Sequence, residues 1–227
     1  MVVNSDICTM NIMIMAATRQ EIIHTIDFID SNSGSVRIHK MAYFISGVGT
    51  LASSYSLTQA ILKQKPDFII QAGIAGSFTA KLPPGTTVFV SEEIFGDAGA
   101  MEEGVFKDIF DLGLTNANDY PFTERKIMNP TCHQWKNGKL PFVTGITVNE
   151  ITTDSNRIEQ LKNKYDPAIE SMEGIALHYV CMLQNIPFIQ LRTISNYVGE
   201  RDKRHWKLAE AILELNTALI TFLQQIP

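Results

Sequence analysis

Glu21, Glu173, Arg192 and Asn196 are the residues whose types and settings point to chemistry. Glu21 follows the apolar run "NIMIMAA", in "AATRQEI". An acid there serves either as a base toward water or as a negative charge favoured at a helix N-terminus. Arg192 is threaded into the apolar run "IPFIQLRTIS", which Ser195 and Asn196 close. A charge and an amide at the end of a buried strand need partners, and a ligand is one candidate. A helical projection of 170–185 at ~100° per residue puts Met172, Ile175, Ala176, Tyr179, Val180 and Leu183 on one apolar stripe, with Glu173 half buried at its edge. On the same projection His178 is a solvent or packing histidine and Glu170 a cap or a solvated acid. Two glycine-containing stretches, "GVGTLA" (47–52) and "GIAGS" (73–77), would let a ligand approach the backbone closely, although turn geometry alone could also require them.

These residues stand at the ends of predicted strands. Runs at 11–17, 36–48, 67–73, 86–95, 140–149 and 186–195 read as strands, and continuous rather than alternating apolarity marks several as buried on both faces. Segments 51–64, 154–165, 170–185 and 203–226 read as helices, while 100–140 resists assignment. Alternating strands and helices predict an α/β layered domain, in which ligands bind beyond the C-terminal ends of the strands. "GVGTLA" matches a dinucleotide fingerprint only weakly: its strand is not the first of the sheet, and Asp67 begins the next strand where an acid should end it.

The chain has 227 residues, 45% of them hydrophobic and 19% charged, enough for one compact domain. A net charge of -5 without any basic block argues against a nucleic-acid or membrane-surface partner and for a small molecule. Cys8, Cys132 and Cys181 form neither a disulfide framework nor a zinc site, which suits the reducing cytoplasm, and Cys132-His133 reads as a surface loop; no metal is expected. Residues 1–9 lack the features of a signal peptide and read as an extension before a domain spanning 10–227.

Together "AATRQEI", "QAGIAGSF", "TVN", "ESMEG" and "ISNYVGERDK", in this order over about 10–220, resemble the nucleoside phosphorylase and nucleosidase superfamily. The likeness is to its hydrolytic branch: the 5'-methylthioadenosine/S-adenosylhomocysteine nucleosidases and, more closely, the futalosine hydrolases of menaquinone biosynthesis. That resemblance implies a three-layer α/β/α domain around a central twisted mixed sheet, a homodimer, and cleavage of an N-ribosidic bond without cofactor or metal. It implies that Glu21 activates the attacking water and Arg192 helps to position it. Met172 and Glu173 would line the ribose, Gly73, Ala75 and Gly76 the space beneath the sugar, and Val148 and Asn149 of "TVN" the substrate. Asn196, oriented by Ser195, stands where the adenine-specific branch has aspartate, and an amide suits a 6-oxopurine such as the hypoxanthine of futalosine. Arg201 is a candidate for futalosine's distal carboxylate, with an Arg201–Asp202 loop pair as the competing reading. Ile74 departs from the serine common in the methylthioadenosine enzymes.

Overall fold

The computed structural model describes residues 9–135 and 140–226. Its elements are β1 (Asn11–Ala16), α1 (Ile23–Ser31, after a 3-10 turn at Arg19–Ile22), β2 (Ser35–Val36), β3 (His39–Ile45), α2 (Thr50–Gln64), β4 (Phe68–Ser77), β5 (Thr87–Phe95), β6 (Gly99–Glu102), β7 (Val105–Asp108), β8 (Lys126–Met128), β9 (Phe142–Thr147), α3 (Ser155–Tyr165), β10 (Ile169–Ser171), α4 (Gly174–Gln184), β11 (Phe188–Tyr197) and α5 (Leu208–Gln225). The expected extension lies almost wholly outside the described residues.

A mixed sheet runs in the order β10-β9-β5-β11-β4-β1-β3-β2, with β8 on β5. β10 is parallel to β9 and also antiparallel to β4, so five strands close into a ring. This is a three-layer α/β/α domain. β1 shows how its apolar run serves two layers: Ile12, Ile14 and Ala16 pack with Ile26 and Ile29 of α1 and Leu215 and Leu219 of α5. Met13 and Met15, on the other face, pack with Leu57 and Ile61 of α2 and Leu177 and Cys181 of α4. Successive strand residues alternate faces, and both faces are covered.

Several expectations change. Segment 170–185 is not one helix: Ile169–Ser171 is a strand, and α4 begins only at Gly174. The buried side of α4 is Ile175, Ala176, Leu177, His178, Val180 and Cys181, whereas Tyr179 and Leu183 are exposed. The apolar stripe was misplaced because the projection continued a helix through residues that pair with β4 and β9. The strand at 67–73 continues to Ser77, so Gly73–Ser77 is sheet rather than loop. Within 100–140, β6 and β7 pair in a two-stranded sheet of their own, held to α3 by Asp108, which accepts from the Tyr165 hydroxyl at 2.8 Å and pairs with Arg125 at 3.1 Å. Cys132, read as a surface residue, is buried. No described helix is long and apolar enough to cross a membrane, and no cluster of three His, Cys, Asp or Glu residues among the described ones could hold a metal ion.

Candidate active site

The C-terminal ends of β4, β10 and β11 open onto a cavity of about 330 Å³, whose lining includes Glu21, Ala75, Gly76, Met172, Glu173, Ser195 and Asn196. Thr18 and Glu21 belong to the turn after β1. The Thr18 N–H and hydroxyl donate to Glu21 Oε2 at 2.9 and 3.0 Å, and the Ile74 N–H donates to Oε1 at 3.2 Å. These donors aim the carboxylate into the cavity and oppose its burial. Burial still dominates and raises its pKa; Arg192 and the two backbone donors pull it down, and Glu173 adds to the rise.

Arg192, from the middle of β11, is only 2% exposed. Its Nη2 donates to Gln71 Oε1 at 3.1 Å, and its Nη1 reaches Ile74 O at 3.3 Å and Glu173 Oε2 at 3.4 Å. Glu173 is not on the helix at all. It is the residue before α4, buried, and its Oε1 accepts the Gly49 N–H at 3.1 Å. Gly49 caps α2 at φ 89°, a conformation that favours glycine, so the "GVG" turn delivers a backbone donor to this carboxylate. Gly73 makes the cluster possible in another way: a Cβ there would stand 2.4 Å from Arg192 Nη1 and 3.0 Å from Glu21 Oε1.

A β-bulge in β11 falls between Ile194 and Asn196, bringing Asn196 into register with Gly76 of β4. The Ser195 hydroxyl donates to Asn196 Oδ1 at 2.7 Å, and Asn196 Nδ2 donates to Tyr197 O at 2.9 Å. Because a carbonyl only accepts, the second contact fixes which amide atom is nitrogen.

Other expected residues stand elsewhere. Val148 is buried, and Asn149 is exposed and bonded through its Nδ2 to Asp97 at 3.3 Å; neither lines this cavity, where Ile151 and Thr152 do instead. Arg201 is exposed over the Trp206 ring, 5.9 Å from its centroid. Asp202 pairs with Arg204 rather than with Arg201. Among the described residues the lining contains no lysine, arginine or histidine. Glu170, expected as a cap or a solvated acid, is buried on the cavity wall. The projection missed it because alternate strand positions, not helical ones, decide its face. Gln71 was missed too, although its signal, a polar residue inside "DFIIQAG", equals that of Arg192.

Beneath the site Glu93 is entirely buried. The Thr147 hydroxyl donates to its Oε1 at 2.8 Å and accepts the Ile175 N–H at 2.8 Å, tying Glu93 to the first turn of α4 and so to Glu173. Gly145 and Gly174 leave room for it; Cβ atoms there would stand 2.7 and 2.4 Å from its Oε2. His178 is also buried, hydrogen-bonded to Ile127 O at 3.0 Å and packed edge-on against Phe188, with burial pushing its pKa down to about 4. Burial pushes Glu93 from 4.5 up to about 7. The folded chain therefore keeps a proton that the unfolded chain loses, and this group's stabilising contribution is complete below pH 4.5 and lost as pH rises through about 7. Glu93→Gln copies the protonated acid and removes that dependence. The variant gains stability relative to wild type from pH 4.5 to 7, by on the order of 3 kcal/mol. Urea unfolding at pH 5 and pH 8 measures it, and an unchanged difference between the two proteins contradicts a protonated Glu93.

Residues 23–224 match the model of the phosphorylase superfamily. The chain belongs to the phosphorylase superfamily. Within it, the chain is 28% identical over 231 residues to the 5'-methylthioadenosine/S-adenosylhomocysteine nucleosidase of Buchnera aphidicola subsp. Schizaphis graminum, covering 92% of this chain and 93% of that protein. It is 30% identical over 179 residues to the futalosine hydrolase of Acidothermus cellulolyticus, covering 77% of this chain and 71% of that one. The S-adenosylhomocysteine nucleosidase of Streptococcus pyogenes, solved with 5-methylthiotubericidin, shares the superfamily fold with a TM-score of 0.79 at 18% identity, over 98% of this chain and 99% of that one. The protein thus stands with the nucleosidases of the superfamily, among relatives that carry two different substrate names.

Proposed function

We propose that this protein is a futalosine hydrolase, cleaving the N-ribosidic bond to release hypoxanthine and dehypoxanthinylfutalosine for menaquinone biosynthesis. One observation carries the choice of base: a carboxamide, Asn196, held by Ser195 and Tyr197 O on the same cavity as Glu21 and Glu173. Its Nδ2 keeps a second hydrogen and its Oδ1 a second lone pair, so it can donate to O6 and accept from N7–H of a 6-oxopurine.

The chemistry follows from charge. As the C–N bond breaks, positive charge grows on the ribose and negative charge on the base. Glu173, with Met172 beside it, accepts from the sugar hydroxyls and stabilises the cation; Glu21 takes a proton from the water that adds to the anomeric carbon. A raised carboxylate pKa suits that base. Arg192 balances the two acids and orients them. Asn196 supplies hydrogen bonds rather than a proton, which fits a base whose 6-oxo group delocalises negative charge; the proton the base takes up comes from solvent. Glu21 would repel phosphate, which favours water over phosphorolysis.

A methylthioadenosine nucleosidase is the second reading, favoured by a cavity wall of Val48, Ile151, Trp206 and Leu208 without a cation for a distal carboxylate. Incubating futalosine, inosine and methylthioadenosine side by side in phosphate-free buffer separates the readings. Hypoxanthine from futalosine is expected; preferential adenine release, or a requirement for phosphate, overturns the proposal. Asn196→Asp should lower kcat/KM on the 6-oxo substrate at least tenfold, in line with about 1–3 kcal/mol for a mispaired buried group.

The reading includes a homodimer. Leu51, 86% exposed, with Tyr55 and Leu62 on α2, and Tyr179 and Leu183 on α4, which packs against α2, are exposed apolar side chains of the kind a subunit interface would cover, and Val48, three residues before Leu51, lines the cavity. Light scattering should give twice the chain mass, reduced to one by Leu51→Glu with Tyr55→Glu; a wild-type monomer at micromolar concentration contradicts it.

A further inference from the structure

Glu93 Oε2, both amide atoms of Gln190 and His178 Nε2 are enclosed in the protein without a hydrogen-bond partner among the described residues. They are neighbours. Glu93 Oε2 and Gln190 Nε2 stand 2.4 and 2.5 Å from the one point that a Cβ on Gly174 would occupy, and the Gln190 amide acts on both Glu93 and His178. Buried polar groups left unpaired are unfavourable, so a cluster of them calls for an arrangement that pairs them all.

Two backbone groups fix the polarity of that arrangement. A carbonyl only accepts, so the 3.0 Å contact with Ile127 O puts the proton of a neutral His178 on Nδ1 and leaves Nε2 an acceptor. At the other end the Ile175 N–H donates to the Thr147 hydroxyl oxygen at 2.8 Å, and the hydroxyl hydrogen goes to Glu93 Oε1, also at 2.8 Å. Between these ends Gln190 must donate to His178 Nε2, which turns its carbonyl oxygen toward Glu93. Its amide atoms are free to exchange places, because neither has a partner that sets it. An acceptor facing Glu93 Oε2 calls for a proton on that oxygen. A neutral Glu93 thus pairs every one of these atoms, whereas an ionised Glu93 leaves acceptor facing acceptor.

We propose that Glu93, as a neutral acid, is a positioning residue for the reaction: it completes a hydrogen-bonded chain from Ile127 O to the Ile175 N–H, which fixes the start of α4 and with it Glu173. This rests on the nucleosidase reading and is independent of which base is released. The charged groups that bear on Glu93 are Arg192 of β11 and Glu173 before α4. The neighbouring strands present Thr147 and Gly145 from β9 and Ile127 from β8, none of them charged, and His178 of α4 is neutral well above its pKa of about 4. Ionisation would set a further carboxylate near Glu173 and divide among three acids the charge of Arg192, which already bears on Glu173 and Glu21. Burial pushes Glu93 up to about 7, so the neutral acid prevails below that pH and is lost above it.

The dependence of kcat/KM on pH, measured on whichever of futalosine, inosine and methylthioadenosine is cleaved fastest, tests this in the unaltered protein first. The wild-type profile should be a bell. Its acid limb belongs to Glu21, and its alkaline limb, with a midpoint of about 7, belongs to Glu93 and should lower kcat/KM at least about tenfold by about pH 9. Glu93→Gln repeats the donor and acceptor pattern of the neutral acid and cannot ionise, so its alkaline limb should vanish while the acid limb stays. Thr147→Val removes the bridge to α4 and should raise KM at least about tenfold by loosening Glu173; Thr147→Ser, which keeps the hydroxyl, should recover most of that loss. A wild-type profile without an alkaline limb, a limb that persists in Glu93→Gln, or a Thr147→Val variant with wild-type KM overturns the role of Glu93 and leaves the nucleosidase reading standing. Failure to release a base from any of the three nucleosides overturns that reading itself, and this one with it.

Discussion

Replacing Glu21 with glutamine should lower kcat on the nucleoside substrate by about 10³-fold, within the range for loss of a general base, while the fold persists. Glutamine keeps the shape, but an amide cannot take the proton from water. Its cost to folding is small beside its cost to catalysis: three donors converge on the carboxylate, and an amide oxygen still serves the two from Thr18. The pH profile provides a second check. The wild-type rate should fall on the acid side as Glu21 is protonated, with a midpoint above that of an ordinary carboxylate, because burial raises its pKa. In Glu21→Gln that acid limb should vanish from the residual activity. A variant with wild-type kcat, or one that keeps the same acid limb, assigns the base elsewhere.

Gly73→Ala should cost both stability and activity, although it adds one methyl group. The new carbon would stand 2.4 Å from Arg192 Nη1 and 3.0 Å from Glu21 Oε1. Arg192 has little room to retreat, being buried and held by Gln71, Ile74 O and Glu173. Breaking a buried charge pair costs about 3–5 kcal/mol, against roughly 1–3 kcal/mol for overpacking alone, so displacement of the guanidinium decides the size. Denaturant unfolding should show a loss at the upper figure, and kcat/KM should fall at least 10²-fold, since small misplacements of reacting groups have effects of that order. Wild-type unfolding and kinetics would mean that Gly73 does not hold Glu21 and Arg192 together.

Much of the framework could be read along the chain because periodicity and burial there are local. The continuous apolar runs of β1, β4 and β11 predict strands covered on both faces, and Leu57 and Ile61 lie on the buried side of α2 as helical spacing requires. Arg192 stood out by being a charge within such a run. Residues 170–173 carry an apolar-polar pattern too short to define its own period, and in sequence it merges with the helix that follows. A helical period continued through it places Glu170 toward solvent and Glu173 on a helix flank, whereas both are buried. The pairs Ile169–Ser77 and Glu170–Gly76 that make this segment a strand join residues more than 90 positions apart, and no local pattern encodes them.

Residue types and their order were enough, by themselves, to determine the layered α/β class and to single out two acids, an arginine and an amide. Which of these meet, and at what distance, was decided only by the tertiary structure. The ring closed by β10, the bulge before Asn196 and the bare Cα of Gly73 bring groups from widely separated stretches of the chain together. Sequence specifies hydrogen-bonding capacity one residue at a time, whereas a site depends on angles and separations that exist only once the strands are paired.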